Sequence, residues 1–155
     1  MKLANALKLR ANLQTDLKQQ ESEIRSNLVQ QEGLTPSHDS NEQYQKYVLK
    51  LGELEKLIVA INYTNTKSRH EYNGQQKSIT ELILRIKEIK QMISLTESVI
   101  SRGKAPTINT ASDIRILSCV DMKKYDDKLE QLKSELLNLE MKLEEINWQV
   151  DLLER

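Results

Sequence analysis

The residues able to do chemistry are few. His38 and His70 are the two histidines and Cys119 is the single cysteine of a 155-residue chain. His38-Asp39 and His70-Glu71 each set an imidazole beside a carboxylate, a pairing that can supply metal ligands. One such pair does not make a site, which needs three or four donors. Di-iron catalysis in a helical bundle uses Glu-x-x-His motifs on inward faces. Neither histidine follows a Glu by three, so no metal is expected, and both histidines read as solvated loop residues. Cys119 sits between Leu117 and Val120 and reads as a small buried residue rather than a nucleophile. There is no Gly-x-Ser-x-Gly, no phosphate-binding glycine loop and no dinucleotide fingerprint. The expectation is a protein without a cofactor and without catalytic residues.

Amides offer more. Asn5, Arg10, Asn62, Asn65, Glu81, Arg85, Asn147 and Trp148, with Tyr63 among them, fall at or beside apolar seam positions of four periodic segments. In an up-down-up-down arrangement they gather at one end, beside the loop that carries Arg69, His70 and Glu71. Buried amides are costly unless hydrogen-bonded. Two readings follow. Such a cluster would bind a small polar ligand or a metal. Alternatively, it is a structural layer that fixes helix register, as one Asn does in coiled coils, with Glu81 and Arg85 an ordinary i,i+4 ion pair.

The elements that must position these residues are helices. Apolar residues make up 38% of the chain and charged residues 30%, with no Phe, four Gly and two Pro. Few breakers, few aromatics and abundant Leu, Ile, Lys, Glu and Gln favour helix over sheet. Gly33 with Pro36, then Gly74, then Gly103 with Pro106 divide the chain. Helices are expected over about 2–32, 41–67, 78–102 and 121–154, with a long loop at 103–120. In the fourth segment Tyr125, Leu129, Leu132, Leu136, Leu139, Leu143, Ile146, Val150 and Leu153 alternate steps of four and three, an unbroken heptad seam. The third offers Ile79, Leu82, Ile86, Ile89, Ile93, Thr96 and Ile100. The second offers Tyr44, Tyr47, Leu51, Leu54, Ile58, Ile61 and Asn65. The first is looser: Leu3, Leu7, Leu13, Leu17, Ile24 and Leu28, with Arg10 and Gln20 at intervening positions. Ser40 to Gln43 and Ser78 to Glu81 read as capping boxes, and Asp121 as an N-cap. The expected fold is all-α: one domain, an antiparallel four-helix bundle of long helices built as two related helical hairpins.

The relation between the hairpins rests on an internal repeat. Ile61-Asn62-Tyr63 falls over Ile146-Asn147-Trp148 when Leu51 is set on Leu136. Duplication explains this, as does the sameness of any two heptad helices. The later part of the long loop, Asp113 to Val120, is rich in β-branched residues. It would lie over the helices as an ordered loop, or reach a neighbouring subunit and pair with that subunit's equivalent arm.

Charge and targeting restrict the partners. Lys plus Arg number 23 and Asp plus Glu number 23, which excludes a strongly basic nucleic-acid clamp. The longest apolar run, Leu57 to Ile61, is far below the roughly 20 residues that span a bilayer. One cysteine allows no intrachain disulfide. These features lead to the expectation of a soluble cytoplasmic protein with no nucleic-acid or membrane partner. The long seams and the arm suggest a homo-oligomer.

The opening Met1 to Gln14, the segment Ile61 to Asn65, Asp113-Ile114-Arg115 and the late Ile146-Asn147-Trp148 together resemble the septicolysin family of small bacterial proteins. The resemblance spans nearly the whole chain. Family members commonly carry Glu where this chain has Asn5; the resemblance thus implies a carboxylate facing Glu81 that this chain lacks, which weakens a metal reading. The family name implies a cytolysin. The residues argue otherwise, since the helices have polar outer faces and no membrane-inserting element is evident. The function expected from the residues is self-association in a structural or interaction role; the alternative is small-ligand or metal binding, an enzyme's included, at the polar end.

Overall fold

The computed structural model describes residues 1–29, 31–33, 39–104 and 116–154. The fold is all-α, as the periodicity predicts: four helices dominate the described residues and one small β-hairpin accompanies them. Helix α1 covers Leu3–Ser26, α2 Ser40–Lys67, α3 Ile79–Arg102 and α4 Met122–Gln149. Strands β1 (Arg69–Tyr72) and β2 (Gln75–Ser78) lie between α2 and α3. Backbone contacts group the chain into two compact units. One is Met1–Ser78 with Glu145–Arg155, the other Ile79–Glu144.

The first unit is built on the α1–α2 hairpin. Lys50 on α2 reaches Asp16 on α1 at 3.6 Å, and the Ser40 hydroxyl donates to the Asn27 carbonyl at 3.4 Å across the turn. The first helix stops at Ser26 rather than near 32, and Leu28 beyond it is exposed. The core stripe of α2 also departs from the expected seam. Leu54, Leu57, Ile61 and Thr64 are buried, whereas Leu51 is 45% exposed and Asn65 half-buried. The buried positions step 54, 57, 61 and 64, so at two turns the stripe falls one residue before the expected 58 and 65. The N-cap of α2 is Asp39, whose carboxylate accepts the Asn41 N–H at 2.8 Å; Ser40 is already helical, so the capping box expected there is not the device used.

Between α2 and α3 the chain forms a hairpin where a plain loop was expected. Arg69 pairs with Ser78 and Tyr72 with Gln75, and the turn residues Asn73 and Gly74 both have positive φ, 51° and 76°. That is the type I′ geometry, which matches strand twist and which Asn-Gly adopts readily. The Glu71 carboxylate accepts the Gly74 N–H at 2.8 Å and secures the turn.

The second unit pairs α3 with the main part of α4. Its seams follow the sequence closely. Ile79, Leu82, Ile86, Ile89 and Thr96 are buried on α3, and Leu132 and Leu139 on α4. Asp121 caps α4 as expected, accepting the Lys124 N–H at 3.1 Å. Gly103 ends α3 against Val120; an added Cβ would stand 2.7 Å from the Val99 carbonyl and 2.9 Å from a Val120 methyl. Only glycine permits this approach. It also fixes the hairpin sense, since the finish of α3 lies beside the start of α4. Cys119 is exposed, not buried as its neighbours suggested, because Ile116 and Leu117 also lie at the surface instead of covering it. Of the long loop, 105–115 lies outside the described residues, as does His38.

Candidate functional site

At the ends of the chain, backbone groups that a helix leaves unpaired are satisfied by one another. Lys2 bridges Asp151 in antiparallel pairing. The first free N–H of α1, at Leu3, donates to the Val150 carbonyl at 2.9 Å, and the Leu152 N–H donates to the Met1 carbonyl at 2.8 Å. This replaces a side-chain N-cap, which Lys2 cannot supply. It also explains why α4 stops at Gln149 while the seam runs on to Leu153: the tail's backbone is committed to the N-terminus. The Lys2 ammonium donates to the Gln149 carbonyl at 2.9 Å and to Asp151 Oδ2 at 3.0 Å. A cation is thereby placed at the negative end of α4. The hydrogen bond from Lys2, with its charge, holds the Asp151 carboxyl below the ordinary aspartate range.

Thr64 completes this clasp. It is fully buried, its hydroxyl donates to the Ala60 carbonyl at 2.8 Å, and it accepts the Leu153 N–H at 2.9 Å. Sequence reading had assigned the polar seam position to Asn65 and passed over Thr64, whose only signal was its place one position before the expected stripe.

The eight residues singled out by sequence do not form a buried amide layer. Asn5, Asn62 and Trp148 are exposed, and Arg10, Asn65 and Asn147 are half-buried, all in the first unit. The reason lies in the helical faces. Ile61 and Ile146 take the buried positions, and the residue after each is less covered, Asn62 exposed and Asn147 half-buried. Tyr63, next to Asn62, carries the Lys67 ammonium 5.8 Å from its ring centre, a contact at the surface rather than in a layer. Glu81 and Arg85 belong to the second unit. Glu81 is exposed, and Arg85 is committed to a cross-helix pair, giving Nε and Nη2 to one Glu135 oxygen at 3.1 and 2.8 Å. His70 is half-buried and its Nε2 lies 2.7 Å from the Ser68 hydroxyl, so it is not the freely solvated residue expected. Among the described residues, no three His, Cys, Asp or Glu side chains gather to hold a metal ion.

A different feature stands out in the first unit. An apolar groove of about 850 Å³ opens between α1, α2 and the tail, floored by Leu9, Leu13, Leu57, Val59 and Leu152. Glu53, Glu55, Lys56 and Glu154 line its rim. None of these four charges makes an ion pair among the described residues. Gly52 also borders it, and nothing lies within 4 Å of where its Cβ would be. Apart from Leu13, the groove's apolar residues lie off the seams the sequence displays. The signal for it was the surplus of apolar side chains, Leu9 and Val59, that no seam absorbed.

Taken together, two helical hairpins, a β-hairpin and clasped termini define a small all-α protein with a surface groove in its first unit. The chain belongs to a family of unknown function, DUF6847, which it matches over residues 10–152. It is also similar to a solved structure from Corynebacterium diphtheriae described as a functionally unknown conserved protein, with a TM-score of 0.78, 19% identity and coverage of 99% of each chain. No curated protein matches it. No helix among the described residues is long and apolar enough to cross a membrane.

Proposed function

We propose that this protein works by associating with itself, in a structural or interaction role. The observation that supports this reading is the open apolar groove of the first unit. Apolar side chains left uncovered in a contiguous concavity mark contact surfaces more often than idle surface. Further large side chains are uncovered along the outer face of α2: Tyr44 at 60%, with Val48 and Val59 on the same side. The balance of 23 cations against 23 anions speaks for a protein partner over nucleic acid. The cytoplasm is the compartment proposed, because Cys119 is the single cysteine and no disulfide supports the fold. The septicolysin resemblance stays a resemblance of motifs, and lysis is not part of this reading.

Light scattering coupled to size exclusion at micromolar concentration is the test. A mass above the 18.0 kDa of one chain is expected. A strict monomer overturns the reading.

A further inference from the structure

This inference rests on the self-association reading and names the surfaces involved. The groove of the first unit has an apolar floor and a rim of three carboxylates, Glu53, Glu55 and Glu154, against two cations, Lys56 and the Met1 terminus. Such a rim repels its own copy, so a groove-to-groove contact would set like charges together. A fitting occupant is an apolar segment flanked by cations.

The chain presents one. Ile116 and Leu117 are consecutive and 60% and 75% exposed, just ahead of α4. The first turns of α4 then carry Lys123, Lys124 and Lys128, none of which makes an ion pair among the described residues. Asp121 is engaged in capping the helix, Asp127 lies among the three lysines, and Asp126 and Glu130 also fall in these turns. Unpaired carboxylates around an apolar groove and unpaired ammonium groups beside an apolar pair are complementary in both respects. We propose that Ile116 and Leu117 of one protomer seat in the groove of a second protomer, with Lys123, Lys124 and Lys128 facing the Glu53, Glu55 and Glu154 rim. Gly52 keeps the groove open, since any side chain there would stand in the space the incoming segment needs.

The native cysteine allows a direct test. Cys119 lies two residues past Leu117 and is exposed. A Lys56→Cys, Cys119→Ser protein is mixed with the unmodified chain and oxidised with copper–phenanthroline in air, which joins two thiols as a disulfide and passes their electrons to oxygen. A mixed disulfide between position 56 of one protomer and Cys119 of the other is expected on a non-reducing gel, well above that from a Gln91→Cys, Cys119→Ser control. Ile116→Asp with Leu117→Asp should abolish it and lower the scattering mass to 18.0 kDa. Gly52→Gln should do the same without lowering the melting temperature, because its Cβ meets nothing. An assembly that persists without a cross-link above the control overturns this contact and leaves self-association standing. A monomer throughout removes both.

Discussion

The two helical hairpins solve the same packing problem by different means. In the α3–α4 unit the core follows the heptad, and its flanks are tied by ion pairs between helices, Arg85 to Glu135, Lys90 to Glu140 and Lys133 to Glu97, at 2.7 to 3.0 Å. In the α1–α2 unit the buried stripe departs from the expected seam, and among the described residues one ion pair, Lys50 to Asp16 at 3.6 Å, joins α1 to α2. The chain termini and Thr64 close that unit instead. Both units leave large apolar side chains uncovered, Leu84, Leu95, Leu137 and Met141 in the second, Leu49 and Val59 in the first. In the first unit Leu9 and Val59 border a groove of about 850 Å³, the concave counterpart to the exposed Ile116 and Leu117 of the second.

The largest effect should come from the seam itself. Leu54→Ala and Ile89→Ala remove buried side chains from the first and second units respectively. Each should cost about 2–5 kcal/mol, because transfer and cavity terms add. Leu51→Ala, at a heptad position that is largely open, should cost under about 1 kcal/mol. Urea denaturation of the three variants at low protein concentration checks this. Equal losses at positions 51 and 54 would show that α2 keeps its heptad register and would erase the contrast between hairpins.

Thr64→Val comes next. The change keeps the shape and deletes both the donor to Ala60 and the acceptor for the Leu153 N–H. Loss of an acceptor from a part-buried donor costs about 1–3 kcal/mol. The loss should be felt locally, as faster hydrogen exchange at Leu153, Leu152 and Leu3, with the α3–α4 amides unmoved. Uniform acceleration throughout the chain would mean that the clasp is not a feature of the irregular hairpin alone.

How far all this was legible follows from which forces are local. The α3 boundaries and the buried set Ile79, Leu82, Ile86 and Ile89 could be read directly, because a regular 3–4 spacing has one solution. Asn73-Gly74 carried its hairpin in plain sight, yet a break between two helices masked the turn signal. The end of α4 at Gln149 was not legible. The seam continues to Leu153, and what stops the helix is a backbone bond to Met1, 151 positions away in sequence. The exposure of the amides has a related reason. Asn62 and Asn147 each follow a buried isoleucine, and one position, about 100° of helix rotation, carries a side chain away from the core, fully at Asn62 and partly at Asn147. The groove was legible only as a surplus, because apart from Leu13 its apolar residues are ones the seams leave out.

A smaller effect of opposite sign tests the imperfect packing of the irregular hairpin. Gln20 on α1 and Gln43 on α2 each bury a side-chain oxygen that has no hydrogen-bond partner among the described residues. A buried acceptor left unpaired keeps its desolvation cost. Gln20→Leu and Gln43→Met remove it with little change in size. Each should stabilise the protein by about 1 kcal/mol, seen as a higher urea midpoint with an unchanged slope. Destabilisation by both would place partners on these oxygens and remove one of the differences between the hairpins.

The smallest effect is electrostatic and belongs to the clasp. Lys2 holds the Asp151 carboxyl below its ordinary value, and the pair is exposed, so screening keeps its contribution slight. The sign follows from linkage. A carboxyl whose folded pKa is depressed contributes stability that is present above its unfolded pKa and is lost as pH falls through the folded one. Protection of the Leu3 and Leu152 amides should therefore weaken as pH drops through and below the ordinary aspartate range, while the α3–α4 hairpin keeps its own. Lys2→Met should raise the Asp151 titration midpoint toward the ordinary value, read by carboxyl chemical shift, and should flatten that acid dependence. A midpoint unmoved by Lys2→Met would separate the charge pair from the clasp and leave the backbone bonds at Met1 and Leu3 as its whole basis.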